Sequence, residues 1–281
     1  MTIGIVGLGL IGASFARAVK TRTDCTVYGT DESADVLTKA SLIGAIDDVL
    51  TQDNANEIDI LVLSVYPRSI KETLLKYVPH LKKGASVIDF CGIKRDVCNA
   101  MKEIGATYKD ILFFGGHPMA GREFSSIDHS MPTLFDKASM LIVPVSGDIF
   151  KEEELKKFFL ELGFGSVVFT TADEHDRIIA FTSELCHIVS NAYIKSPTAK
   201  EHHGFSAGSY RDLTRVARNN STLWSELMID NRDDLLFELD TLIKNLTDYK
   251  NALENKDEER LKDLLEEGNL IKLNIDKRGK K

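Results

Sequence analysis

The chain has 281 residues, 43% hydrophobic and 28% charged, which is ordinary for a globular protein of one large or two average domains. Its formal net charge of -8 and the lack of a basic stripe interleaved with aromatics argue against nucleic acid as a partner. No apolar run is long enough to span a membrane. The first, Ile3 to Ile11, is broken by glycines and lacks the preceding basic region of a signal peptide.

The four cysteines, Cys25, Cys91, Cys98 and Cys186, form no CxxC pair and no zinc-like spacing. Each sits in apolar sequence, so reduced, buried thiols are expected, with no metal and a cytoplasmic location. His202 and His203 read as a solvated pair in a polar loop.

In chain order, short β-rich runs alternate with helical stretches as far as residue 170. The runs are Thr2–Val6, Thr26–Gly29, Ile58–Val65, Ser86–Phe90, Leu112–Gly115, Ser139–Val143 and Ser166–Phe169. Apolar runs of this length, separated by helices, predict parallel strands buried on both faces. Right-handed crossovers then give an α/β fold with a Rossmann-type, doubly wound, mainly parallel sheet over residues 1–170.

After Thr171 the pattern becomes helical. Ile178, Phe181, Leu185, Val189 and Ala192 recur at helical spacing, as do Leu235, Leu239, Leu242, Leu246 and Leu253. Asp257 to Leu265 reads as another amphipathic helix and Lys277–Lys281 as a frayed tail. Residues 171–281 are therefore expected to form an all-α domain. Its long apolar stripes fit either an internal bundle or a homodimer built through these C-terminal helices.

The first strand runs directly into Gly7-Leu8-Gly9-Leu10-Ile11-Gly12, followed by helix-forming Ala13, Phe15, Ala16 and Val19. A lone GxGxxG is weak evidence, but the strand before it and the helix after it supply the context of a dinucleotide site. Gly7 allows the tight turn, Gly9 lets a diphosphate approach the backbone, and Gly12 lets helix and strand pack closely. Leu10 and Ile11 open the helix whose free N–H groups favour the anion.

The second strand leads to Asp31, at about the fingerprint interval, where a carboxylate can accept both ribose hydroxyls. It would repel a 2′-phosphate, and Glu32 and Ser33 supply no arginine, so NAD is the expected cofactor. Asp31 could also cap the helix over Ser33–Ala40. Two further strand ends, at Ser64 and at Cys91-Gly92, should border the nicotinamide, because ligands in such sheets lie beyond the carboxyl ends of strands.

Hydride transfer from an alcohol needs a group that accepts the hydroxyl proton, and a neutral histidine suits that near pH 7. Among seven histidines, His117 stands out. It ends the run Phe113-Phe114-Gly115-Gly116, and Pro118 holds it extended. A structural histidine is the alternative reading of that position alone.

With these segments in view, the sequence resembles the prephenate dehydrogenases over nearly its whole length. The resemblance rests on Gly7–Gly12, Asp89 through Lys94, Gly-Gly-His-Pro-Met-Ala-Gly at 115–121, His175-Asp176, His187, and Arg-Asp-Leu-Thr-Arg at 211–215. It implies NAD(P)-dependent oxidative decarboxylation of prephenate to 4-hydroxyphenylpyruvate in tyrosine biosynthesis, and a helical domain that pairs two subunits. Position by position, it implies that His117 accepts the ring-hydroxyl proton, Arg215 binds a substrate carboxylate, and His187 lines the substrate pocket. Arg211 is either a second anion contact or a surface ion pair.

The sequence departs from the family pattern twice. Gly92 stands where some members have a serine that orients the histidine and substrate, so a water or a backbone group is expected to replace that hydroxyl. Glu184 stands where some have a second histidine, one turn from His187, where it is expected to orient the ring or stay solvated. Trp224 reads as interdomain packing. The pattern ends near residue 270, leaving no room for a regulatory domain, so any tyrosine inhibition is expected at the active site.

Other readings are an arogenate dehydrogenase, with Glu184 or Glu123 as ammonium partner, or a β-hydroxyacid dehydrogenase using Lys195 or Lys200. A non-catalytic NAD-binding sensor would leave the His117 and Arg215 segments unexplained.

Overall fold

The structure is a computed structural model that describes residues 1–122 and 126–278. Eight strands alternate with helices in the order β1 (Thr2–Val6), α1 (Leu10–Arg22), β2 (Thr26–Thr30), α2 (Ala34–Leu42), β3 (Asp48–Val49), β4 (Ile60–Leu63), α3 (Ile70–Tyr77), β5 (Ser86–Asp89) and α4 (Arg95–Gly105). Then come β6 (Leu112–Pro118), β7 (Ser139–Pro144), α5 (Ile149–Glu161) and β8 (Ser166–Phe169). They form one sheet in the order β3-β2-β1-β4-β5-β6-β7-β8, parallel throughout except where β6 meets β7. The sheet is thus the mainly parallel, Rossmann-type arrangement that the apolar runs predict.

Alternate residues of each strand enter two separate cores, as the two-residue side-chain period of a strand requires. Ile3, Ile5, Val62, Ile88 and Phe114 join Phe15 of α1 and Phe158 and Phe159 of α5 on one face. Leu61, Leu63, Val87 and Phe113 join Ile70 and Leu74 of α3 and Met101 of α4 on the other. Phe15 is the hub of the first core, edge-on to Phe90 with ring centroids 4.9 Å apart. Burial on both faces explains why these strands read as continuous apolar runs rather than as alternating ones.

Three boundaries differ from the sequence reading. β3 is a two-residue strand with no apolar run to announce it. The run from Ile58 becomes strand only at Ile60. β6 continues through His117 to Pro118, because its antiparallel partner β7 pairs Gly115 with Val143 and His117 with Leu141. His117 is therefore held in a ladder rather than in a loop.

The helical part begins with α6 (Ala172–Ile179), a π-helical segment (Ala180–Glu184) and α7 (Leu185–Tyr193) in unbroken succession. The apolar spacing predicts one buried face here, yet Ile178 and Phe181 are exposed while Leu185 is buried. The π segment contributes to this, since its i→i+5 bonding shifts the helical register. Next come α8 (Gly208–Thr214), a 3₁₀ turn (Arg215–Ala217), and α9 (Ser221–Asp230), capped by Asn220.

The chain up to Arg232 forms one compact unit, and residues 233–281 belong to a second. The second contains most of α10 (Arg232–Glu254) and all of α11 (Glu258–Arg278), linked where the Tyr249 hydroxyl donates to the Leu264 carbonyl. α11 runs well past the expected end near Leu265 and includes Lys277. Lys280 and Lys281 of the expected tail lie outside the described residues.

The cysteines are free, with Cys91 and Cys98 buried. Cys186 is exposed, against expectation, because it falls on the outer side of α7.

Candidate active site

A cleft of about 1300 Å³ opens at the carboxyl ends of β1, β4, β5 and β6. Single small-molecule sites occupy roughly 300–1,000 Å³, so there is space for a dinucleotide and a second ligand. Its nucleotide side is lined by Gly7, Gly9, Leu10, Ile11, Asp31 and Ser64. Cys91, Gly92, His117, His187 and Arg215 line the same cleft. Gly12 lies beneath it, and Arg211, Lys195 and Lys200 do not line it. Glu123 lies outside the described residues.

The glycine turn fits a diphosphate. Gly7 has φ +89°, and a Cβ there would lie 2.3 Å from the Ser64 carbonyl oxygen. A Cβ on Gly12 would lie 1.9 Å from the Gly7 oxygen, so only glycine lets α1 start this close to β1. At Gly9 a Cβ would meet no described atom within 4 Å. Nothing among the described residues crowds that face, and α1 begins there without a side-chain cap. Its first N–H groups are left for an anion.

Asp31 braces the turn: its Oδ2 accepts from Leu8 N at 2.8 Å and its Oδ1 from Ser33 N at 3.0 Å. The cap of α2 is Ser33, whose hydroxyl accepts from Val36 N. Asp31 is therefore not that cap, and its carboxylate sits at the cleft.

On the other side of the cleft, Asp89 gathers three segments at the end of β5. It accepts from Cys91 N at 2.8 Å, from Gly116 N at 3.1 Å and from the ammonium of Lys94. Lys94 and Asp89 are both fully buried. Their pairing raises the lysine's pKa even though burial opposes this. The N–H of Gly116, next to His117, is thus fixed by a buried ion pair. Gly116 itself allows the approach, because a Cβ there would lie 2.4 Å from the Asp89 carbonyl oxygen.

His117 is the outer member of a three-residue chain. Its Nδ1 lies 2.9 Å from His175 Nε2, and His175 Nδ1 lies 2.7 Å from Asp176 Oδ1. The protons follow from the partners. Asp176 also accepts from the backbone N–H groups of Lys94 and Arg95, so it is a carboxylate and His175 Nδ1 is the donor to it. In the neutral ring His175 Nε2 is then the acceptor, and His117 Nδ1 donates to it. The Nε2 lone pair of His117 remains for the cleft.

Burial first, then His175 and Lys94, push His117 well below the ordinary histidine pKa. Burial likewise lowers His175, with Asp176 opposing. Burial alone would raise the Asp176 carboxyl, but bonds from His175, Arg95 and Lys94 hold it below the usual carboxylate value. The arrangement can accept one proton at His117 Nε2.

The family models match almost the whole chain. The nucleotide-binding domain of prephenate dehydrogenase matches residues 15–167, and the dimerization domain of prephenate dehydrogenase matches residues 171–267. The chain belongs to the prephenate dehydrogenase family.

Among its relatives, the cyclohexadienyl dehydrogenase of Zymomonas mobilis is 30% identical, over 96% of this chain and 94% of its own. The solved prephenate dehydrogenase from A. aeolicus, in complex with hydroxyphenyl propionate and NAD+, is 25% identical with a TM-score of 0.84, covering 98% of both chains. The arogenate dehydrogenase of Synechocystis is 27% identical with a TM-score of 0.80, covering 98% of this chain and 100% of that one. The expected cofactor, NAD, agrees with the nucleotide-binding family model and with the NAD+ complex of the A. aeolicus relative.

As a prephenate dehydrogenase family member, this chain handles its two departures in specific ways. A Cβ at Gly92 would lie 3.3 Å from both methyl groups of Leu227, which fill the space above it. His117 Nδ1 is engaged by the His175 ring. Glu184 is neither solvated nor the group that orients His187. It is 1% exposed and accepts from the Asn231 side-chain amide at 2.8 Å.

His187 instead donates from Nδ1 to the Val216 carbonyl at 3.0 Å, and Asn191 donates to the Ala217 carbonyl at 3.1 Å. These two bonds tie the turn carrying Arg215 to α7. Trp224 lies over the His187 ring, with centroids 3.6 Å apart, and lines the cleft, so it belongs to this site rather than to packing elsewhere. Arg218, three residues after Arg215, also lines the cleft, whereas Arg211 does not. Sequence reasoning missed Lys94, His175 and Arg218 as functional candidates. Asp89 through Lys94 and His175-Asp176 were among the segments that carry the family resemblance, but no role was assigned to Lys94 or His175.

Proposed function

We infer that this chain catalyses the NAD-dependent oxidative decarboxylation of prephenate to 4-hydroxyphenylpyruvate, in tyrosine biosynthesis. The observation that carries the reading is His117, whose tautomer leaves a lone pair toward the cleft that also holds the glycine turn. NAD+, when bound, supplies the hydride acceptor. His117 accepts the ring-hydroxyl proton, loss of the ring carboxylate as carbon dioxide leaves an aromatic phenolate, and return of the proton from His117 gives the phenol. The protein's share is then positioning, one proton acceptor and carboxylate anchors.

Arg215 anchors a carboxylate through its fork of N–H donors. His187 and Gly92 border the substrate. Gly7, Gly9, Leu10, Ile11, Gly12, Asp31, Ser64 and Cys91 form the dinucleotide seat. Asp31 at the ribose end favours NAD over NADP.

We place the functional division near residue 170, with a nucleotide domain at 1–170 and a helical domain at 171–281. The helical part pairs two subunits, a reading supported by exposed Leu246 and Leu253 on α10 and by Leu270, Leu273 and Ile275 on α11. The protein acts in the cytoplasm; no helix among the described residues is long and apolar enough to cross a membrane.

One observation favours arogenate as a second substrate. With Nδ1 donated to Val216, neutral His187 offers an Nε2 lone pair, which suits an ammonium better than a keto oxygen. The experiment is NADH formation measured with prephenate and arogenate, each with NAD+ and NADP+. Turnover of prephenate with NAD+ supports the reading, and its absence with both substrates overturns it.

A further inference from the structure

A proton taken up at His117 Nε2 would make that ring an imidazolium, and His117 is a poor place to keep the charge. Its ring is half-buried in the cleft wall, and desolvation, the neighbouring His175 ring and the Lys94 ammonium all oppose a charge there. One hydrogen bond further back the surroundings are different. His175 Nε2 is 2.9 Å from His117 Nδ1, and His175 Nδ1 is 2.7 Å from the Asp176 carboxylate.

We propose that His175 is a positioning residue that also receives the proton's charge, so that His117 and His175 act as a two-ring relay. As His117 Nε2 takes the substrate hydroxyl proton, the proton on His117 Nδ1 moves to His175 Nε2. One O–H and one N–H bond break, and two N–H bonds form. His117 ends neutral in its other tautomer, and the positive charge rests on His175 against Asp176. The relay rests on the assignment of His117 as the proton acceptor above.

The groups around His175 favour this. Asp176 on its own helix is a carboxylate held by two backbone N–H groups, fixed before any proton arrives. Of the other charged groups on α6, Asp173 is paired with Arg95 at 2.9 Å, and Glu174 accepts from the Thr170 hydroxyl. Arg177 belongs to the same helix. Between β5 and α4, Lys94 opposes a charge on His175 as it does on His117, but its ion-pair partner Asp89 acts on His175 in the opposite sense. Beyond these, Asn231 donates to both the Asp176 carbonyl and Glu184, closing the far side with a neutral amide. Burial depresses both rings, but only at His175 does a carboxylate bond oppose it, so the second ring holds a proton better.

His175→Gln separates orientation from proton transfer. A glutamine oxygen can still accept from His117 Nδ1–H, but it cannot keep the proton. The measurement is the single-turnover rate of NADH formation from prephenate with saturating NAD+, in mixtures of H₂O and D₂O. For the unaltered enzyme the relay predicts a curved dependence on deuterium fraction, from two protons in flight. For His175→Gln it predicts a linear dependence and a rate lower by on the order of 10²-fold, with KM changed by less than about twofold. Asp176→Asn should lower the rate in the same sense.

A linear dependence in the unaltered enzyme overturns the relay, as does a His175→Gln rate equal to it. If His175→Gln does not fold, the curvature of the unaltered enzyme decides alone. No NADH from prephenate in the unaltered enzyme is a separate outcome: it overturns the assigned reaction, and the relay with it.

Discussion

His117 is suited to accept a proton because it is kept neutral and its free nitrogen is specified. Three factors lower its pKa: burial, the neighbouring ring and the Lys94 charge. As the proposed proton acceptor it is thus in its working form at neutral pH and remains so into mildly acidic conditions. His117→Asn should therefore lower the single-turnover rate by about 10²–10⁴-fold, the usual worth of a general base. NAD+ affinity, read by fluorescence titration, should stay unchanged. A variant with near-normal turnover would remove His117 from the chemistry.

Arg215→Ala tests the anchor separately. Losing a charged hydrogen bond worth about 1.5–3 kcal/mol should raise the prephenate KM roughly 10- to 100-fold with a smaller effect on kcat. His117 was legible in the sequence because a histidine between a strand and a proline is locally constrained. Its partner was not: His175 is 58 residues away, and only the packing of α6 against the start of α4 brings it to Nδ1. The buried Asp89–Lys94 pair was hidden for a related reason, since a lysine in sequence reads as a surface group until its ammonium is seen to be enclosed.

At the scale of elements, the glycine turn makes two predictions that ordinary conservatism would merge. Gly9→Ala adds a methyl where no described protein atom lies within 4 Å. The fold should tolerate it, while a diphosphate approaching that face should not. Unchanged thermal stability with NAD+ affinity lowered at least about tenfold is expected, a loss of about 1.4 kcal/mol. Gly12→Ala adds a methyl 1.9 Å from the Gly7 oxygen, so helix and strand must separate. It should lower the melting temperature as well as the affinity. Equal stability of the two variants would contradict these distances.

The strand–turn–helix unit was legible because each part has its own period and the glycines mark the junctions. The π segment was not, since a shift from i→i+4 to i→i+5 bonding leaves the spacing of apolar residues unchanged. Hence Ile178 and Phe181 read as core, although the helix turns them outward. β3 escaped for lack of length, its two residues being recruited by β2 rather than by any preference of their own.

Across the whole molecule, the acid side of the stability curve should be set first by histidines. His117, His175 and His187 are all depressed from the ordinary value of 6.5, each chiefly by burial. In the unfolded chain these rings take protons as the pH falls through 6.5, while the folded rings still resist. The unfolded state then binds more protons, so stability is fully present above pH 6.5 and declines below it. A ring that stays neutral down to pH 5 costs at most about 2 kcal/mol, from roughly 1.4 kcal/mol per pH unit.

Depressed carboxylates act in a different window. Asp47, Asp59, Asp128 and Asp176 are lowered from 3.8, so their contribution is present above that value and is lost only as the pH falls through their folded values. Between pH 7 and pH 5 the histidines act almost alone. The urea midpoint, measured at one protein concentration so that association does not enter, should fall over that interval. His187→Gln, which replaces one titrating ring at the edge of the cleft, should make the fall shallower. A midpoint that stays level or rises from pH 7 to pH 5 would mean that these rings are protonated in the folded protein. His117 could not then be the neutral acceptor that the cleft requires.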